Sequence, residues 1–212
     1  MKLDKLSQDD FIKVSNRLVR SLTRGKTISS KPKAILLGGQ SGAGKTTIHR
    51  IKQREFQGNI IVIDGDSYRS FHPNYLTLQE KYGKDSVNYT KVFAGQMVEY
   101  LVDELSKQGY HLLIEGTLRT TEVPRKTAQL LTARGYQVSL ALIATKPELS
   151  YLSTLIRYEE LYAIDPSQAR ATPKTHHDGI VGHLVGNLRE LEKEELFRQI
   201  QIYQRDQSCV YD

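Results

Sequence analysis

The sequence predicts an α/β fold: a doubly wound parallel sheet with helices on both faces, preceded by an amphipathic helix and followed by a helical lid region. Three observations carry this. AILLGG, NIIVID, HLLIEG and QVSLALIAT are short continuous apolar runs, as strands buried on both faces require. Segments of helical spacing separate them, and such alternation gives a parallel sheet. Each run closes on Gly, Asp or Thr, and in these sheets ligands sit at the carboxyl ends of the strands.

In chain order, Ser7 with Asp10 resembles a capping box, and Phe11, Val14, Leu18 and Leu22 recur at helical spacing until Gly25. Residues 1–25 are therefore an N-terminal helical segment, and KTISSKPK is a polar linker onto the sheet. The core spans 34–145. Its helices follow Gly44, run from about Ser86 to Lys107 with Gly109 as a stop, and start near Pro124 to end before Gly135. Pro147 opens the next helix, as proline is allowed in a first turn. Residues 147–195 hold the lid and its helices: after Tyr162 comes DPSQARATPKTHHDG, too long and polar for a simple connection, then a helix to about Glu195. In 198–212, Ile200 and Ile202 alternate as in a strand. One folding unit, 1–212, is expected, because 212 residues supply a single substantial core.

Composition excludes several classes. No run approaches the ~20 apolar residues of a membrane span, and MKLDKLSQDDF lacks the apolar core of a secretory signal. The single cysteine, Cys209, leaves no intramolecular disulfide and fits a reducing compartment, so a cytoplasmic location and no membrane partner are expected. A net charge of +6 favours an anionic partner, but the basic residues form no tract or aromatic-interleaved patch; anionic small molecules are expected, not nucleic acid.

The strongest motif is GQSGAGKT, Gly39 to Thr46, a full G-x-x-x-x-G-K-[ST] pattern between a predicted strand and a predicted helix. Glycines let backbone N–H groups turn inward around phosphate oxygens, and the helix adds the positive end of its dipole. Gly39, Gln40, Ser41, Gly42, Ala43, Gly44, Lys45, Thr46 and Thr47 form the expected ATP cradle. Lys45 reaches the terminal phosphates and the Thr46 hydroxyl ligates Mg²⁺. A cradle admits a GTPase, a motor or transporter ATPase, or a small-molecule kinase. N-K-x-D and D-x-x-G, which a GTPase needs, do not occur in their places, and oligomeric ATPases need more chain than this. A kinase needs a carboxylate for the acceptor hydroxyl and arginines from a lid, and the sequence has both, which makes the fold P-loop kinase-like.

The carboxylates lie in VIDGDSYRS. Asp66 is assigned to the acceptor hydroxyl and Asp64 to support, with a helix from Ser67 placing Arg69 near Asp66 or near an anionic part of the substrate. The plainer alternative is that both aspartates cap that helix. Arg157 and Arg170 are the lid candidates. His176-His177-Asp178 is a poor metal site, since adjacent helical histidines point apart.

AILLGGQSGAGKTTIHRI, IDGDSYRS, LLIEGTLRT and YLSTLIRYEELY with QARATPK together resemble the zeta toxins, the kinase halves of bacterial toxin–antitoxin pairs, and their pneumococcal type especially. The resemblance implies ATP-dependent phosphorylation of UDP-N-acetylglucosamine at the 3′-hydroxyl of its sugar, which blocks peptidoglycan synthesis, and an epsilon-type antitoxin partner that covers the nucleotide site. Carried over by motif, it makes Lys45, Asp66, Glu115, Arg157 and Arg170 catalytic, with Thr46 on Mg²⁺. It puts Asp66, Glu99, Glu115, Thr117, Arg119 and Thr127 against the sugar nucleotide. Such relatives continue past CVYD with a helical tail; the site residues lie upstream, so activity is expected without it. Two alternatives stay open: another small-molecule kinase, since adenylylsulfate kinases also carry D-G-D-x-x-R after the second strand, and a non-enzymatic nucleotide-binding protein.

Overall fold

The computed structural model describes residues 3–166 and 169–212. The first two residues of the expected N-terminal segment and Gln168 of the QARATPK block lie outside them. Six strands form one sheet in the order β2-β3-β1-β4-β5-β6. These are β1 (Lys33–Gly38), β2 (Ile61–Ile63), β3 (Leu112–Glu115), β4 (Gln137–Ile143), β5 (Ile200–Tyr203) and β6 (Cys209–Tyr211). The first five pair in parallel; β6 returns antiparallel on β5.

Alternation along β1 divides the core. Ala34 and Leu36 face one layer with Leu18, Phe93, Met97, Leu101, Leu131 and Leu191. Ile35 and Leu37 face the other with Ile48, Leu113 and Ile143. Helices α1 (Gln8–Thr23), α5 (Ser86–Gln108), α6 (Glu122–Ala133) and α8 (Lys174–Lys193) supply the first layer, and α2 (Lys45–Glu55) the second. On α5 the stripe Met97, Leu101, Leu105 at four-residue spacing is wholly buried, each side chain contributing about 1.5–3 kcal/mol by leaving water. The cap of α1 is as expected: Ser7 Oγ accepts from Asp10 N at 3.1 Å. The linker is tied down rather than free, with Thr27 N donating to Asn59 Oδ1 at 2.8 Å and Ser29 N to Gly109 O at 2.9 Å.

Three features differ from expectation. The helix after β2, α3 (Gly65–Tyr68), begins at Gly65 instead of Ser67, because the Asp64 carboxylate accepts from Asp66 N at 3.0 Å and caps it. Helix α4 (Tyr75–Tyr82) and strand β6 were not expected. The eight residues of α4 are too few for periodicity to stand out, and it is held by burial of Tyr75, Leu78 and Gln79. The residues of β6 are exposed and carry no apolar alternation; pairing with β5 alone makes them a strand. Helix α7 (Pro147–Ile164) starts at Pro147 as expected, and α8 begins at Lys174 within the polar segment.

Candidate active site

Strand β1 ends at Gly38 and the chain turns through residues 39–44 into α2. At Gly42 φ is +74°, and a Cβ there would lie 2.0 Å from the Ser150 carbonyl oxygen, so the backbone rests directly on α7. Gly44, at φ +103°, opens α2 without a side-chain cap, leaving the first N–H groups of the helix to a ligand. Lys45 Nζ donates to the carbonyls of Gly39 at 2.9 Å and Gln40 at 3.2 Å, curled over its own loop. Thr46 and Thr47 stand in the first turn of α2, Thr46 exposed. A glycine cradle, a lysine on its rim and an open hydroxyl fit a nucleotide polyphosphate with its magnesium ion.

Glu115 ends β3 opposite Leu37 of β1, which sets it beside the loop. Its carboxylate lies 3.6 Å from Lys45 Nζ and 2.8 Å from His49 Nε2, the latter without hydrogen-bond alignment. Sequence reasoning missed His49; its place one helical turn after Lys45 was the available signal. Burial raises the Asp64 carboxyl above its usual range, the Glu115 charge adds to this, and the Ser67 hydroxyl opposes it.

Asp66 is differently placed. Its carboxylate accepts from Arg69 Nε at 2.8 Å, so of the two roles expected for Arg69 the structure has the pairing with Asp66. Arg69 Nη1 also donates to Val87 O and Thr90 Oγ1 on α5. Desolvation by the groups around it pushes the Asp66 carboxyl up, but Arg69, then Arg170 and Arg157, outweigh it and hold the group below the usual carboxylate range. The side chain is 67% exposed, open to a substrate, and water screens part of this field. Arg170 Nη1 donates to the Asp66 backbone carbonyl, while its buried Nε has no protein partner. A buried guanidinium donor left over beside Asp66 is suited to an anion. Arg157 is exposed on α7 and reaches Asp66 through its field.

Glu99, Glu115, Thr117, Arg119 and Thr127 all line one cavity of about 660 Å³, with Leu36, Val98 and Val123 among its apolar walls. Residues from β3, α5 and α6 thus converge. Leu118, buried at φ +55°, turns the loop between β3 and α6, and Asn187 Nδ2 on α8 donates to its carbonyl at 2.9 Å. The Thr127 hydroxyl donates to Val123 O at 2.9 Å and faces a ligand only as an acceptor. The histidine pair diverges: His177 is 1% exposed, whereas His176 is exposed and feels the charges of Arg119 and Asp66.

A model of the zeta toxin family matches residues 19–212. Over its full length the chain is 70% identical to the toxin PezT of Streptococcus pneumoniae serotype 4, covering 84% of that protein. Over 92% of its length it is 45% identical to toxin zeta of Streptococcus pyogenes, covering 69% of that one. Among solved structures, a chain from the PezAT chromosomal toxin–antitoxin system of S. pneumoniae aligns with a TM-score of 0.91 at 66% identity, over all of this chain and 83% of that one. A putative kinase from Chloroflexus aurantiacus aligns with a TM-score of 0.56 at 12% identity, over 82% of this chain and 89% of that one, a likeness of fold alone. The fold is that of P-loop kinases. No helix among the described residues is long and apolar enough to cross a membrane.

Proposed function

The chain belongs to the zeta toxin family, and on that premise we propose that it is the toxin kinase of a toxin–antitoxin pair, transferring the γ-phosphate of ATP to the 3′-hydroxyl of the sugar of UDP-N-acetylglucosamine. The observation that supports this best is Glu115, which stands 3.6 Å from Lys45 Nζ of the phosphate loop and also lines the cavity with Glu99, Thr117, Arg119 and Thr127. Asp66 lies outside that lining, as an exposed carboxylate in the field of Arg69, Arg170 and Arg157. A diphosphate sugar needs a cation for its diphosphate and fixed polar groups for its hydroxyls, which the cavity residues offer.

In this reading Lys45 leaves its loop carbonyls for the terminal phosphates, and the Arg170 Nε completes its coordination on the transferring group. Asp66, held ionised, accepts the hydrogen bond of the acceptor hydroxyl and aims its oxygen at phosphorus. A depressed carboxyl is a weak base, so it takes the proton late, as the new O–P bond forms; the loose transition state of phosphoryl transfer suits this. Thr46 and Glu115 would hold Mg²⁺, which supplies charge neutralisation between the phosphates. An antitoxin of the epsilon type is the expected partner, by membership of the family and by likeness to the PezAT toxin. Loss of the sugar nucleotide to phosphorylation would starve wall synthesis in the cytoplasm.

Purified chain with ATP, Mg²⁺ and a panel of UDP-sugars, adenylylsulfate and nucleosides tests the proposal. Mass and phosphorus NMR should show one phosphate added to the sugar of UDP-N-acetylglucosamine. Addition to adenylylsulfate, or to no acceptor, would overturn it.

A further inference from the structure

Ser150 and His177 have no part in the reading above, yet they are sealed from water at 0% and 1% exposure. They stand in the first turns of α7 and α8. Gln40 of the phosphate loop, 2% exposed, is joined to them. Gln40 Nε2 donates to Ser150 Oγ at 3.2 Å and to Thr145 O at 2.8 Å. Ser150 Oγ meets His177 Nε2 at 2.8 Å, and His177 Nδ1 meets Asp178 Oδ1 at 3.2 Å. Thr145 Oγ1 closes the other side by donating to Ala43 O at 2.8 Å. With Gly42 lying on the Ser150 carbonyl, the outer wall of the loop is the first turn of α7, and His177 stands behind that turn.

Of the two neutral tautomers of His177, the hydrogen-bond partners select one. A proton on His177 Nδ1 is accepted by Asp178, whose carboxylate Lys174 also holds. His177 Nε2 then accepts from the Ser150 hydroxyl, which accepts from Gln40. A proton on Nε2 would instead leave a bare Nδ1 facing a carboxylate and send the Ser150 proton to Pro147 O at 2.9 Å. Of the two, only the first gives His177, Ser150 and the Gln40 Nε2 group partners without repulsion, while Gln40 Oε1 is buried without a partner among the described residues.

Apolar side chains of the same volume would join α7 to α8 equally well, and burying polar groups costs stability unless each is bonded. What the polar chain adds is direction. It holds the Gln40 side chain, and the Gln40 carbonyl accepts from Lys45 Nζ. The helix turn bearing His177 follows the segment whose Arg170 touches Asp66. We propose that His177 is a positioning residue for phosphoryl transfer, fixing the phosphate loop through Ser150 and Gln40 and coupling it to the Arg170 segment. This rests on the loop being the ATP site, and is independent of which acceptor is used.

The test uses the whole chain, with His177→Leu, His177→Gln, Ser150→Ala and the double variant Ser150→Ala with His177→Leu. Nucleotide affinity is read by titration with a fluorescent ATP analogue, KM for ATP and for UDP-N-acetylglucosamine by turnover, and folding by thermal unfolding. His177→Leu should weaken nucleotide binding by ~10-fold and raise KM for ATP, with KM for the UDP-sugar unchanged. His177→Gln, whose carboxamide reaches the Nε2 position, should restore most of the loss, and the double variant should be no worse than the worse single one. Should His177→Leu not fold, Ser150→Ala, a small change, must show the same rise in KM for ATP. Equal losses for both substrates, no recovery with Gln, or additive losses in the double variant would overturn the inference. Unvaried protein that binds no nucleotide would overturn the proposed function and this inference with it; unvaried protein that binds while neither single variant weakens binding would overturn this inference alone.

Discussion

Arg69 Nε donates to Asp66 Oδ1 at 2.8 Å while Nη1 of the same guanidinium is fastened to α5 through Val87 O at 3.0 Å and Thr90 Oγ1 at 3.1 Å. A cation bound on both sides aims the carboxylate and lowers its proton affinity. Arg69→Gln should therefore raise the Asp66 pKa, and because the ionised form accepts the hydroxyl proton, the acid limb of the kcat/KM profile should move to higher pH. An acid limb that stays in place would remove Arg69 from this role. Linkage gives a second readout. A depressed carboxyl stabilises the fold above its unfolded value, near pH 4, and that contribution is lost as pH falls through the lowered native value. The variant should lose stability less steeply across that window.

Lys45→Ala should abolish transfer and weaken ATP binding, since it removes the charge that lies on the loop carbonyls while leaving the glycine cradle. Isothermal titration and turnover measure both effects. Unchanged turnover would refute the loop as the nucleotide site.

For Asp66→Asn the split should differ from that of Lys45. ATP binding should persist while transfer falls by ~10² or more. Binding that collapses with transfer would make Asp66 a structural residue. In growing cells without antitoxin, the unvaried chain should arrest wall synthesis and the variant should not.

Gly42→Ala sets a methyl 2.0 Å from the Ser150 carbonyl at a positive φ. The loop must shift off α7, at a cost of about 1–3 kcal/mol. A lowered Tm together with a loss of nucleotide affinity is expected. A variant that binds nucleotide normally would show the cradle to be looser than its packing.

Arg119→Ala should raise KM for the UDP-sugar far more than KM for ATP, because the side chain lines a cavity to whose wall residues 39–47 do not contribute. Thr127→Val should do so more weakly, its proton already being given to Val123 O. If Arg119→Ala affected ATP instead, the acceptor side would have to be reassigned.

By itself the sequence determined five of the six strands and the glycine turn of the phosphate loop, and it put Arg69 within reach of Asp66. Each is written within a few residues: continuous apolar runs, a fixed glycine spacing, an offset of three. Locality explains the limits as well. Nothing within the segment from residue 63 to residue 70 says whether Asp64 or Asp66 caps the helix; the backbone turn at Gly65 does. Strand β6 exists because β5 is beside it, and α4 because Tyr75 and Leu78 find a core. Only the tertiary structure brought Glu99 from α5, Thr117 and Arg119 from the loop after β3, and Thr127 from α6 to one cavity. It alone set His177 behind Ser150 and Gln40, partners separated by 27 and 110 residues along the chain. Contacts of that range depend on how helices pack across the ends of the sheet, and packing responds to shape and volume summed over the whole core, which no local pattern of residues records.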